Sequence, residues 1–485
     1  MTRTGQIEKH KGLGPAHMIN EFLILMKQEL IVTFIIFVLL FIKLGKEEIK
    51  NATLINLVNI LLALNLASGF FFHQSGALFG DMFRTTELFT LEKNLLNLGT
   101  LVISLQSYNW LKDHKHVPEF YILLLSTLLG MFLMISSNNF LMFYLALELS
   151  TIPLAALSNF DLDKRRSSEA AFKMIISSAF SSGLLLFGIS LMYGSTGTLS
   201  FIELPAHLTG DPLQIFSFIL LIAGFGFKIS AVPFHLWTAD VYEGSPVSVT
   251  SYLSVVSKGA ILFVLVSVLY NAFAPLNESW YNMLFIISVL TMITGNLFAL
   301  RQQNMKRFLA FSSIAQVGFI LIGITGFSTE GSASVIFFVL IYIFSNLAAF
   351  GVINLVSAET GKETVSDYKG FYKTNKGLSW VLAIALFSLG GIPPTAGFFG
   401  KFFLLLAGAG KGNYLLITIA ALNMVISLYY YLRIIKAIFM DVNDDPIETV
   451  KAGWSPKLAM IICIGGIIIT GLASGAYNYI YSLLN

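Results

Sequence analysis

The chain has 485 residues, of which 56% are hydrophobic and only 12% charged, with a formal net charge of +3 and a mean hydropathy of +0.77. Soluble domains run near one quarter charged, so this composition excludes an ordinary water-soluble domain and requires an integral membrane protein. A single cysteine, Cys463, excludes a disulfide framework or a cysteine-based metal site, and no nucleic-acid partner is expected.

Taken in chain order, apolar runs long enough to cross a bilayer, about 20 residues each, predict fourteen transmembrane helices. Their limits are 22–43, 52–72, 90–110, 119–136, 138–159, 167–193, 213–239, 246–271, 280–300, 305–326, 331–357, 378–406, 413–440 and 457–482. Glu92 and Lys93 stand near the start of the third, where snorkelling to the interface accommodates a charge. The N-terminus lacks a short apolar core followed by a small-residue cleavage site, so no removable signal peptide is expected.

Lysine and arginine in the loops set the orientation. Loops after odd-numbered spans hold nineteen of these residues and the opposite side holds seven. This predicts that the odd-span loops face the cytoplasm and both termini face outward. The four remaining cations, Lys173, Lys228, Lys258 and Lys401, lie inside spans.

Spans four to eight and nine to thirteen form two groups of five, and an odd number of helices inverts the second group relative to the first. The fourth helix of each group carries proline at its middle, Pro233 in span seven and Pro393–Pro394 in span twelve. Paired, proline-interrupted spans in matching positions mark ion-handling sites. The predicted organisation is therefore 1–118 for three N-terminal helices, 119–271 for a first five-helix unit, 280–440 for a second, inverted unit, and 457–482 for a last helix. The fold class is an all-α polytopic membrane protein with broken helices seven and twelve.

Charges inside a bilayer are expensive, about 2.5–3.5 kcal/mol each at a helix centre on insertion scales, and usually pair or line a water-filled path. Glu148 sits ten residues into span five, roughly 15 Å deep at 1.5 Å per residue. Lys228 and Lys258 lie near the centres of spans seven and eight, too deep to snorkel fully. Lys401 lies past the middle of span twelve. Lys173 is close enough to the cytoplasmic end for snorkelling to explain it as well as function does.

A proline leaves the carbonyl four residues back without a donor, which membranes tolerate only where protein or water re-satisfies it. A break beside Lys228 therefore implies local water. A Glu148–Lys228 pair at ~5 Å, with an effective dielectric near 20, gains roughly 3 kcal/mol, enough to switch a buried lysine between protonation states. Ser177, Ser178, Ser254, Ser257, Ser312, Ser313 and Gln316 add hydroxyls and an amide as relay groups. His235 is a candidate for the cytoplasmic entrance.

The seven histidines are scattered and none forms a metal-ligand pair; His114 and His116 sit in a charged loop. With no phosphate-binding glycine loop and no dinucleotide fingerprint, no cofactor or metal is expected in the chain itself.

Four stretches then acquire a shared meaning: KISAVPFHLWTADVYEGSPVSV (228–249), EAAFKMIISSAFSSGLLLFG (169–188), NMKRFLAFSSIAQVGFIL (304–321) and GGIPPTAGFFGKF (390–402). Together they resemble the antiporter-like subunits of respiratory complex I, over roughly 119–440. The resemblance implies fourteen core helices in two inverted five-helix units. It also implies a coupled Glu148–Lys228 pair modulated by Lys173, a central Lys258 and an exit residue at Lys401. Among those subunits, a lysine at the twelfth-span position without a long lateral helix singles out one member. Phe311 stands where the family often has tyrosine, and Met174 where an aromatic is common.

The resemblance implies a proton-translocating subunit of an NADH:quinone oxidoreductase. NADH, FMN, iron–sulfur clusters and quinone would be bound by partner subunits, and the chain would contact other membrane-arm subunits, through them the hydrophilic NADH-oxidising arm, and lipid. A multisubunit Na⁺/H⁺ antiporter, or a hydrogenase or ferredoxin-linked membrane complex, shares the same core and is the alternative.

Overall fold

A computed structural model describes residues 15–45, 49–71, 74–473 and 475–485. Arg3, Lys9, Lys11 and Lys46 of the charge count, and His10 and His73, lie outside the described residues. Helices dominate. The chain opens with α1 (Pro15–Leu25) and α2 (Lys27–Leu44), bent 84° apart at Met26, followed by α3 (Asn51–Ser68). A two-stranded antiparallel hairpin, β1 (Gly76–Leu78) and β2 (Phe83–Thr85), then precedes α4 (Glu87–Gln106) and the single turn α5 (Tyr108–Leu111). The hairpin corrects the all-α expectation. Its three-residue strands are too short to show alternation, and it is held by the loop after the fourth predicted span, where Arg84 N donates to Ser136 O at 2.8 Å and Asn138 N to Met82 O at 2.8 Å.

The next helices are α6 (Val117–Ile135), α7 (Phe140–Ser158) and α8 (Arg165–Thr196). The seventh predicted span is two pieces, α9 (Pro212–Ile229) and α10 (Leu236–Gly244), and the eighth is α11 (Val247–Tyr252) continued by α12 (Lys258–Ser267). α13 (Asn277–Ala299), α14 (Met305–Thr325), α15 (Thr329–Thr360) and the turn α16 (Phe371–Thr374) follow. The twelfth span is again two pieces, α17 (Lys376–Gly390) and α18 (Ala396–Ala409), before α19 (Tyr414–Phe439), α20 (Trp454–Leu472) and α21 (Gly475–Ser482).

By length and composition eleven described helices can cross a membrane, or twelve counting the bent α1–α2 pair. The predicted fourteenth span, 457–482, is two helices, and the third starts earlier than expected. Loops gather in two clusters, a hairpin end where Phe83 pairs with Ser137 and Asn139 with Ser200, and a basic-loop end where Asn304 pairs with Thr364, Lys43 meets Glu119 and Lys362 meets Asp445. α14 is buried along its whole length and α15 almost so, so these two helices form the centre, and α12 and α4 pack against α15.

Lys93 corrects another expectation. It is buried rather than snorkelled, because Glu29 of α2 meets it at 2.5 Å. A carboxylate on a helix distant in sequence supplies the counter-charge that the interface would otherwise provide.

Candidate functional site: a file of buried lysines

The first break is closed by backbone and indole. Ser230 takes the left-handed conformation (φ 64°), Ala231 N donates to Gly226 O at 2.8 Å, and Trp237 Nε1 donates to Phe227 O at 3.1 Å. Val232 N donates to Thr291 Oγ1 at 3.0 Å, and Pro233 lies between the two half-helices. With the freed carbonyls so occupied, Lys228 is not needed to cap them. Its Nζ reaches away from the break and donates to Thr151 Oγ1 (2.8 Å) on α7 and Ser178 Oγ (2.7 Å) on α8. Trp237→Phe deletes one buried donor and should destabilise the chain by about 1 kcal/mol, read as a lower thermal midpoint of the purified protein.

Glu148 is half-buried one turn before Thr151 on the same face of α7, and its Oε1 is buried without a hydrogen-bond partner among the described residues. Glu148 and Lys228 make no ion-pair contact with each other. Two hydroxyls hold the ammonium instead, leaving the carboxylate as a nearby charge rather than a ligand. A cavity of about 20 Å³ joins Lys228, Thr151, Ser178 and Trp237 to Ser257, enough for about one water molecule. Ser257 closes a π-helical turn, Leu253–Ser257, that ends immediately before Lys258; such turns recur at functional sites.

Lys258 is buried and donates to Ser313 Oγ of α14 at 2.7 Å, with its ammonium 5.4 Å from the Tyr242 ring centre. Three residues along the same face of α14, Gln316 Nε2 donates to Leu389 O at 3.0 Å. Lys401 Nζ donates to that same oxygen at 2.8 Å and to Gly390 O at 3.4 Å, and lies 4.9 Å from the Phe319 ring centre. The second break, at Pro393–Pro394, thus differs from the first: its freed carbonyls are capped by Lys401 and Gln316. Helix C-termini carry partial negative charge and favour a cation there. Phe227, Tyr242 and Phe319 place a ring face near Lys228, Lys258 and Lys401 respectively, partly replacing the lost hydration.

Other predicted relay groups fall beside this file. Ser254 is 3.2 Å from Tyr342 Oη and accepts from Asn346 Nδ2 at 2.7 Å. Ser312 lies 2.5 Å from Tyr431 Oη. Ser177 is half-buried one residue from Lys228's partner Ser178. His235 is half-buried just before α10, and none of the three inner lysines hydrogen-bonds to it.

Lys173 lies apart from the file. Its side chain is 40% exposed and bridges Glu169 (2.8 Å) and Asp240 (2.7 Å). Arg307 then joins Asp240 (2.7 Å) to Glu243 (3.0 Å). This network ties α10 to α8 and α14 at the basic-loop end. Sequence reasoning missed Asp240, Glu243, Arg307 and Thr151. Thr151 had a signal, its three-residue spacing from Glu148; the network had none, because its partners come from three separated helices.

A protein-family model described as NADH:quinone oxidoreductase/Mrp antiporter, TM, matches residues 137–427. NADH-quinone oxidoreductase subunit N of Phocaeicola vulgatus is 47% identical over 423 residues, covering 86% of this chain and 89% of the relative. The protein of the same name from Paramagnetospirillum magneticum is 37% identical over 81% of this chain and 82% of its own length. A chain of respiratory complex I from Thermus thermophilus superposes with a TM-score of 0.79 at 27% identity, covering 92% of this chain and 97% of that one. A chain of the Mrp complex from Dietzia sp. reaches a TM-score of 0.81 at 19% identity, covering 94% and 99%, and shares the fold.

Proposed function

The chain belongs to the NADH:quinone oxidoreductase/Mrp antiporter transmembrane family, and from that premise we propose that it moves protons through the membrane arm of an NADH:quinone oxidoreductase. The observation that carries this reading is the shared acceptor Leu389 O, bonded by both Gln316 and Lys401. Gln316 lies one turn along α14 from Ser313, the partner of Lys258, and a cavity beside Ser257 reaches Lys228, so water between these groups would join Lys401, Lys258 and Lys228 into one file. Protonatable amines separated by hydroxyls and amides are what stepwise proton transfer needs.

In this reading the fourteen spans are the eleven apolar helices, α2, the charged but buried α4, and the α17–α18 pair. α6–α12 (117–267, for the expected 119–271) and α13–α19 (277–439, for the expected 280–440) are the two inverted units, helices of 1–118 and 457–482 flank them, and the basic-loop end faces the cytoplasm of a bacterial inner membrane. A proton enters near α10 and His235, reaches Lys228 and Lys258, and passes along α14 to Lys401 for release on the hairpin side. Glu148 biases the charge on Lys228 without touching it. Lys173 acts through Asp240, by holding α10 against α8 and α14.

Moving a proton outward opposes about 2.3 kcal/mol per 100 mV. The drive comes from partner subunits that carry NADH, flavin, iron–sulfur centres and quinone. The test is capture of the tagged chain from gently solubilised native membranes. Inhibitor-sensitive NADH:quinone reduction should co-purify at a fixed subunit ratio. A clean membrane complex lacking that activity would move the assignment to an Na⁺/H⁺ antiporter or a hydrogenase- or ferredoxin-linked complex.

A further inference from the structure

The lysine file leaves a second buried charge system unused. Glu29 and Lys93 form their 2.5 Å pair with side-chain exposures of 2% and 1%. From Lys93 a polar stripe runs along α4: Asn97, Thr100, Ser104 and Ser107 follow at four- and three-residue steps, so they share one face, and all are buried. Helix contacts in membranes are usually apolar or small, with isolated polar residues as glue. A polar face along a whole buried helix calls for a function.

Facing the stripe are Asn59 and Asn65 of α3 and Tyr121 of α6. Ser104 Oγ donates to Asn59 Oδ1 at 2.6 Å and lies 2.8 Å from Tyr121 Oη; Asn97 Nδ2 donates to Leu62 O at 3.0 Å. Four amide atoms on α3 and α4 have no partner among the described residues: both of Asn65, Nδ2 of Asn59 and Oδ1 of Asn97. Asn65 and Asn97 are fully buried. Buried polar groups in native proteins are paired with protein or with ordered water, and an amide unpaired at both atoms has water left as its partner. At the basic-loop end Ser107 Oγ donates to Ser248 Oγ at 2.8 Å, and Asn354 Nδ2 donates to Gln106 O at 3.0 Å. Asn354, Trp110 and Val247 line a cavity of about 340 Å³ there.

We propose that α3, α4 and α6 enclose a second hydrated proton path, separate from the lysine file, in which ordered water bridges Asn59, Asn65 and Asn97 and carries protons between the basic-loop cavity and the Glu29–Lys93 pair. A proton arriving at the Glu29 carboxylate forms one O–H bond and leaves Lys93 without its counter-charge. Loss of that proton toward the hairpin end breaks the same bond and restores the pair.

Infrared difference spectra of the assembled complex in lipid vesicles, recorded on transfer from H₂O to D₂O at a pH low enough to protonate Glu29, test this. Glu29→Gln should remove one exchangeable carboxyl band. Asn65→Leu, which deletes no protein hydrogen bond, should keep the band but slow its exchange by about tenfold or more. Lys228→Ala should leave the band and its rate unchanged. Should Asn65→Leu fail to assemble, Asn97→Leu makes the same test, with Asn97→Ser expected to retain fast exchange. The path is refuted if Glu29→Gln removes no band, if the leucine variants exchange at the parental rate, or if Lys228→Ala slows exchange equally.

Discussion

Replacing Lys258 with methionine is expected to abolish proton pumping through the lysine file while leaving the assembled complex at least as stable as the parent. Methionine matches the shape of the lysine stem but carries no ammonium. Lys258 is buried, with a hydroxyl at 2.7 Å and an aromatic ring as its surroundings and, among the described residues, no carboxylate in ion-pair contact. Desolvating an ammonium in such a site is unfavourable, and apolar replacement of buried charge is often neutral or stabilising by about 1–4 kcal/mol. A structural lysine would behave in the opposite way, because its loss would unfold what it holds. The pairing of unchanged or higher thermal stability with lost pumping therefore separates a relay from a scaffold. Thermal unfolding and dye-quenching pumping assays on the same preparation read both quantities.

The second large effect is at Lys401, where two roles are superimposed. It caps Leu389 O and Gly390 O at the broken end of α17, and it is the proposed exit site. Lys401→Met removes both roles. It should destabilise by about 1–3 kcal/mol, because it leaves a carbonyl unsatisfied, and should stop pumping. Lys401→Arg separates them. A guanidinium donates to the same carbonyls but does not deprotonate in proteins, so stability should be largely retained while pumping is still lost. Parental pumping in the arginine variant would reduce Lys401 to a helix cap.

The asymmetry of the two breaks shows how far sequence carries and where it stops. Proline marked both interruptions, because a missing donor and a freed carbonyl are local consequences of one residue. Which group takes that carbonyl is a tertiary matter: Trp237 and backbone at the first break, Lys401 and Gln316 at the second. The depth of Lys228, Lys258 and Lys401 was legible from apolar runs. The hydroxyls holding two of them were not, since Ser178, Thr151 and Ser313 look like ordinary small residues at helix contacts. Glu148 and Lys228 read along the chain as a coupled pair at ~5 Å; what the chain does not show is that Thr151 takes the direct contact with the ammonium. Lys93 illustrates a misreading. Close to a predicted helix end it resembles a snorkelling residue, but Glu29 buries it. The shift of Lys173 to a partly exposed bridge with Asp240 has the same origin, because α10 exists as a separate element only once the break is formed.

The most direct measurement is the number of protons moved per NADH oxidised by the assembled complex carrying Lys228→Ala in sealed vesicles. The lysine file predicts that the complex assembles and reduces quinone, and that its proton yield falls below that of the parent. A parental proton yield in a fully assembled variant would contradict it.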